Sequence, residues 1–169
     1  MIIFKDVITG DELLSDSYDL IEVDGVVYEA DCAMITEGAV QVDTGANASA
    51  EEAEEETEDA AVKVNNIVHS FRYSSTSFDK KSYLTYLKGY MKAIKAYLGE
   101  QGKSLEEIKD FETKAGAFAK KVLGNFKDYE FYTGESMNPD GMIILLNYRE
   151  DGITPYVTIW KHGVKGEKV

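Results

Sequence analysis

The sequence predicts an α+β fold, and three observations carry that expectation. Residues 1–42 hold short strand-like segments separated by turn residues. Residues 78–98 and 104–124 show the clearest helical periodicity in the chain. Residues 126–162 return to strand-like segments joined by hairpin signals. Many strands, two helices, then three strands is not the alternation of a parallel doubly wound sheet, so antiparallel or mixed strands with a helical hairpin are expected. A chain of 169 residues suits one domain, 1–169, with a real core.

Residues 1–7 read as a first strand, and 9–16 begin as a polar turn in which Asp11 and Glu12 are adjacent. Residues 20–23 and 26–30 flank Asp24-Gly25, a hairpin signal. Residues 33–35 and 39–42 are shorter strand candidates. Residues 44–62 are expected to form a mobile acidic loop, because Glu51, Glu52, Glu54, Glu55, Glu56, Glu58 and Asp59 stand among alanines with no aromatic residue to bury. Residues 64–73 then read as a strand.

The helical hairpin is expected over 77–124. In its first helix Leu84, Leu87, Met91, Ile94 and Leu98 recur at the spacing of one buried face. Thr76 with Asp79 resembles a capping arrangement, and Gly99 stands where a stop belongs. Lys81, Lys88, Lys92 and Lys95 form a second stripe, and Tyr83, Tyr86, Tyr90 and Tyr97 a third. Ser104-Leu105-Glu106-Glu107 is a capping box for a second helix whose apolar face is Leu105, Ile108, Phe111, Ala115, Phe118 and Val122. The short glycine-containing link makes the pair antiparallel. Residues 126–132 alternate as a half-buried strand, 142–146 as a fully covered one, and 154–160 complete a meander. Its turns are Asn138-Pro139-Asp140-Gly141, with Gly141 expected in a conformation other residues avoid, and Glu150-Asp151-Gly152.

The formal charge of −13, from 31 acids against 18 bases, argues against general affinity for nucleic acid or an anionic membrane. No apolar run reaches bilayer length, and residues 1–6 lack a signal-peptide pattern. One cysteine, Cys32, allows neither an internal disulfide nor a Cys-pair zinc site, which suits a reduced cytoplasmic setting.

Catalysis finds little support. His69 and His162 stand far apart, and no local pattern pairs either with Cys32 as nucleophile and base. There is no phosphate-cradling glycine loop. The acids suit weak calcium binding, but no stretch follows the calcium-loop pattern. Protein binding fits better. The lysine and tyrosine stripes together suit an acidic partner met through charge steering and aromatic anchors, or else a solvated face beside a tyrosine-rich core margin. A second surface joins Asp11 and Glu12 to the loop of Gly134, Glu135, Ser136 and Met137.

Residues 131–142 and 147–152 closely resemble the C-terminal signature of the translationally controlled tumour protein family. Residues 45–51 resemble its N-terminal signature, with Ala46 in place of a glycine. Residues 1–16 look like the family's start and 79–92 like its helical segment. The chain is identified as a member, of the fungal kind. The resemblance implies a β-tent, shared with Rab-binding chaperone-like proteins, with a projecting helical hairpin, and no zinc. It implies a cytoplasmic, partly cytoskeleton-associated protein that is not an enzyme. Such a protein is linked to protein synthesis, growth control, microtubule stabilisation and anti-apoptotic partners. The implied partners are tubulin and microtubules, the translation machinery and a small GTPase of the Rheb or Rab type, with no direct nucleic acid or membrane partner. Glu12 and Glu135 match the acids tied to the GTPase contact, with Asp11 and Met137 beside them. The tubulin-binding region maps onto the hairpin and its lysines. Ser49 is a candidate phosphorylation site, and a calcium-binding regulator with ion-dependent partners is the alternative.

Overall fold

Antiparallel pairing joins all the strands of the computed structural model, which describes residues 1–37 and 62–169. The strand candidate at 39–42, Ser49 and the acidic loop, apart from Val62, lie outside those residues. The first strands are β1 (Ile2–Asp6), β2 (Glu12–Ser15), β3 (Leu20–Val23), β4 (Val27–Asp31) and β5 (Met34–Glu37). After them come β6 (Val62–Asn65), α1 (Asn66–Ser70), β7 (Ser74–Thr76), α2 (Lys80–Glu100) and α3 (Leu105–Gly124). The chain closes with β8 (Glu130–Thr133), β9 (Ile144–Tyr148), β10 (Pro155–Trp160) and β11 (Val164–Lys168). Among the described residues these strands form three sheets, ordered β11-β1-β2, β3-β4-β10-β9-β8-β7 and β5-β6. This is the expected mixed α+β fold.

The turns that position the large sheet follow their local chemistry. Asp24 and Gly25 both have positive φ, and the Val26 N–H donates to Val23 O at 3.1 Å, the mirror-image turn that suits strand twist. At the β9–β10 turn Gly152 has φ +70°, and the Asp151 carboxylate accepts from the Ile153 and Thr154 N–H groups. The meander β8–β9–β10 is present as expected, but residues 126–128 form a 3₁₀ turn before β8.

Gly141 departs from expectation. It is not in the left-handed region. It is needed because a Cβ there would lie 2.5 Å from Thr9 Cγ2 and 2.8 Å from the Asp6 carboxylate. Residues 64–73 also differ. Asn65 accepts from the Ile67 and Val68 N–H groups and starts α1, so β6 ends where a continuous strand was expected.

The hairpin's boundaries are set by other residues than those read from sequence. Asp79, not Thr76, caps α2: its carboxylate accepts from Ser82 N at 2.7 Å and the Ser82 hydroxyl accepts from Asp79 N. Gly102, not Gly99, ends it. Gly102 has φ +79°, its N–H donates to Gly99 O, and Lys103 N–H reaches Leu98 O, the two bonds of a Schellman motif. Ser104 caps α3 through Glu107 N as expected.

The buried stripe of α2 is Tyr83, Leu87, Tyr90, Ile94 and Leu98, whereas Leu84 is exposed. Tyr83 lies 5.1 Å from Phe131 and 5.9 Å from Phe126, ring centre to ring centre. Tyr86 bridges backbone groups of a distant segment, donating to Gly141 O at 2.7 Å and accepting from Ile143 N at 2.9 Å. From α3, Phe118 meets Trp160 edge-on and Phe111 packs on His162 at 4.7 Å. Leu105, expected on the buried face, is 85% exposed because it precedes the packed turns.

Asp6 joins the three-stranded sheet to the six-stranded one. Its buried carboxylate accepts from Ile8 N and from Met142 N, each at 2.8 Å. Asp6→Ala would strand both donors, and urea unfolding is expected to show a loss of about 3 kcal/mol. His162 gives a second expected outcome. Burial first, then Lys161 and Lys114, hold its imidazole below the ordinary value, against smaller opposing effects of Asp110 and Glu22. The unfolded chain therefore takes up this proton at higher pH than the folded one. The contribution is complete above the unfolded value and is lost as pH falls through it toward the folded value. Unfolding titrations at pH 7.5 and 5.5 should show this loss, and His162→Gln should flatten it.

Candidate interaction surfaces

The first surface assembles three segments that are distant in sequence. Asp11 stands just before β2, and its carboxylate accepts from Ser136 Oγ at 2.6 Å and from Ser136 N at 3.2 Å. Gly134 makes the approach feasible, since a Cβ there would lie 2.5 Å from the Asp11 carboxylate oxygen. Met137 N–H donates to Gly134 O at 3.0 Å and closes the loop, leaving Met137 at φ +58° with 63% of its surface exposed. The third segment is the corner after α1. Tyr73 is buried and its hydroxyl donates to Leu13 O, while the exposed Arg72, at φ +54°, pairs with Glu135 at 3.0 Å.

The charge of this surface differs from the acidic pair read in sequence. Asp11 is half-buried and bound to Ser136. Glu135 has a guanidinium beside it. Glu12 is exposed at the start of β2 and sits across the strand pair from Lys5. The surface is therefore mixed in charge, with an apolar Met137 at its edge. Arg72 had no local sequence signal. Only its left-handed backbone and the Tyr73 anchor bring it to the site.

The second surface is the outer side of α2. Lys81, Lys88 and Lys92 are exposed, and the half-buried Lys95 pairs with Glu112 of α3 at 3.4 Å. The lysines thus share one stripe, at i, i+7, i+11 and i+14. The tyrosines do not join them as partner anchors. Tyr83 and Tyr90 are 0% and 3% exposed, and Tyr86 is occupied by its two backbone bonds. Their rings face the sheet because only there can large aromatic surface be removed from water. Burial accordingly raises the hydroxyls of Tyr83, Tyr86 and Tyr90 above the ordinary tyrosine range.

Reactive side chains are kept apart. Cys32 is buried with its Sγ 3.9 Å from Ala30 O, and burial pushes its thiol up to about 11, so it is protonated near neutrality. His162 packs on Phe111, amid Lys161, Lys114, Asp110 and Glu22, none of which surrounds Cys32. His69 lies on α1 beside a hollow lined by Arg72 and Tyr73. Among the described residues, no three His, Cys, Asp or Glu side chains gather as a metal site. No helix among them is long and apolar enough to cross a membrane.

Comparison with known proteins agrees with this geometry. Residues 1–165 match the family model described as translationally controlled tumour protein. The translationally-controlled tumor protein homolog of Neurospora crassa is 74% identical over 170 residues, covering all of both chains. The solved structure of the translationally controlled tumor-associated protein p23fyp from Schizosaccharomyces pombe superposes with a TM-score of 0.82 at 60% identity, again over both whole chains. The solved structure of the translationally-controlled tumor protein from Caenorhabditis elegans superposes with a TM-score of 0.73 at 25% identity, over the whole of this chain and 99% of the other. With the family model spanning nearly every residue and fungal relatives matching end to end, the chain belongs to the translationally controlled tumour protein family.

Proposed function

We propose that this protein acts by binding rather than by catalysis, as a cytoplasmic regulator in protein synthesis and growth control that stabilises microtubules. The observation that carries the reading is the lysine stripe of α2. Three of its four lysines stand exposed on one helix face of a chain whose net charge is −13. Lysines concentrated against the overall charge select a strongly acidic partner and orient it on approach. The acidic tails of tubulin have that chemistry, and the family's tubulin-binding region coincides with the hairpin. Packing of α2 against the sheet through its tyrosines fixes the stripe outward, so binding requires no rearrangement of the core. The protonated, buried Cys32 thiol also suits a molecule without a nucleophilic centre.

A second surface serves a small GTPase of the Rheb or Rab type, through Glu12, Glu135, Asp11 and Met137. The specific observation in its favour is Met137. An apolar side chain is held outward by a positive-φ backbone between exposed charges, the kind of local strain that persists where a partner uses it. Arg72 then sets the terms of contact, because a partner's basic group must share or displace it at Glu135.

Cosedimentation with polymerised tubulin tests the first reading. Reversing Lys88, Lys92 and Lys95 to glutamate should weaken binding by about tenfold or more, and added salt should weaken the unaltered protein progressively. Salt-independent binding would reject the electrostatic mechanism. Capture by a nucleotide-free GTPase tests the second. Glu12→Val with Glu135→Ala should reduce it while the circular dichroism spectrum is retained, and undiminished capture would reject that surface.

A further inference from the structure

The outer side of the hairpin holds more than lysines. Between α2 and α3 runs a groove of about 510 Å³. Its α3 wall carries the small residues Ala115, Gly116 and Ala119 beside Phe111 and Glu112. A Cβ built on Gly116 would meet no heavy atom within 4 Å, so the space above it is open. Leu84 and Met91 line the α2 wall, and Leu84 leaves 39% of its surface in water although the helix pattern marks it as apolar face. The rim is charged on one side. Among the described residues Lys88 and Lys92 have no ion-pair partner along it, while Lys95 pairs with Glu112 and closes one end at 3.4 Å.

We propose that this groove is the seat of an amphipathic helix from another protein, one with an apolar stripe bordered on one side by acidic residues. The proposal deepens the reading of the α2 lysines as a contact surface and rests on it. Leu84 to Lys95 spans about 16 Å along the helix at 1.5 Å per residue, which is three turns of an incoming helix. Over that length the partner would offer apolar residues at i, i+4, i+7 and i+11, the pattern used by helices that dock in grooves. The small residues of α3 let its backbone approach closely, and its acids fall beside Lys88 and Lys92. An extended acidic tail would satisfy the lysines but leave Leu84, Met91 and the α3 wall in water. Charge complementarity and exposed apolar surface together therefore assign the groove itself to a helix, while the lysines alone suffice to hold a tail.

The test uses the full chain and a fluorescein-labelled 16-residue helical peptide with leucines at the four stripe positions and glutamates along one edge. Fluorescence anisotropy should show saturable binding. Gly116→Leu fills the groove, leaves every lysine in place and replaces a helical glycine, so the fold should survive; it is expected to weaken binding about tenfold or more. A peptide with the leucines changed to alanine, equal in charge, should weaken similarly. Equal affinity of wild type and Gly116→Leu, or of the leucine and alanine peptides, would overturn the proposal. In that case, microtubule binding that still depends on the lysines would leave the earlier reading standing. Two further outcomes would also overturn it by giving the groove to another occupant. One is concentration-dependent self-association abolished by Gly116→Leu. The other is dodecanoate binding that Gly116→Leu removes, in the absence of peptide binding.

Discussion

The buried Asp6 carboxylate is the constraint on which the arrangement of the molecule depends. One oxygen holds the turn after β1 through Ile8 N, and the other holds the entry to β9 through Met142 N, 136 residues away. Around it the backbone is drawn in further. Asp6 N–H donates to Asp11 O, Val7 N–H to Gly163 O, and Tyr86 grips Gly141 and Ile143 from the helix side. Gly141 has no room for a side chain because this carboxylate and Thr9 fill the space. A polar group buried in this way needs directed donors, so its neighbours are held in place. The Asp11–Ser136 contact, and with it the mixed-charge surface, lies one turn from this junction.

Much of the fold could be read from sequence because its instructions are local. Asp24-Gly25 and Asp151-Gly152 specify their turns by backbone preference alone, and Ser104 with Glu107 writes its own cap. Features that depend on distant pairing could not be read. The Val164–Lys168 strand is almost wholly exposed and polar, and only its ladder with β1 makes it a strand. Residues 64–73 look apolar enough for a strand, yet Asn65 caps a short helix within them. In α2, periodicity shows several stripes but not which one meets the sheet. The tyrosines won that position through Phe126, Phe131 and the Gly141 backbone, none of which is near in sequence.

The candidate surfaces divide along the same line. The lysine stripe was legible, since helical spacing alone puts its members together. Glu12 and Glu135 could be named, but their setting could not. Asp11 is tied to Ser136, and Arg72 arrives from a corner shaped by α1 and Tyr73. One surface is thus a regular feature of a helix. The other is a composite of three loops, and its charge balance exists only in three dimensions.

The pairing of β1 with β11 has a bearing on how the molecule is made. These strands are far apart in sequence, Asp6 standing opposite Val164, and Val169 N–H reaches back to Met1 O at 2.9 Å. During synthesis β1 leaves the ribosome with one of its edges unprotected until the sequence-distant β11 has followed. An exposed strand edge invites foreign pairing. Its ladder can close only after the long intervening segment has been brought together, and contacts of such sequence separation carry a large loop-closure cost.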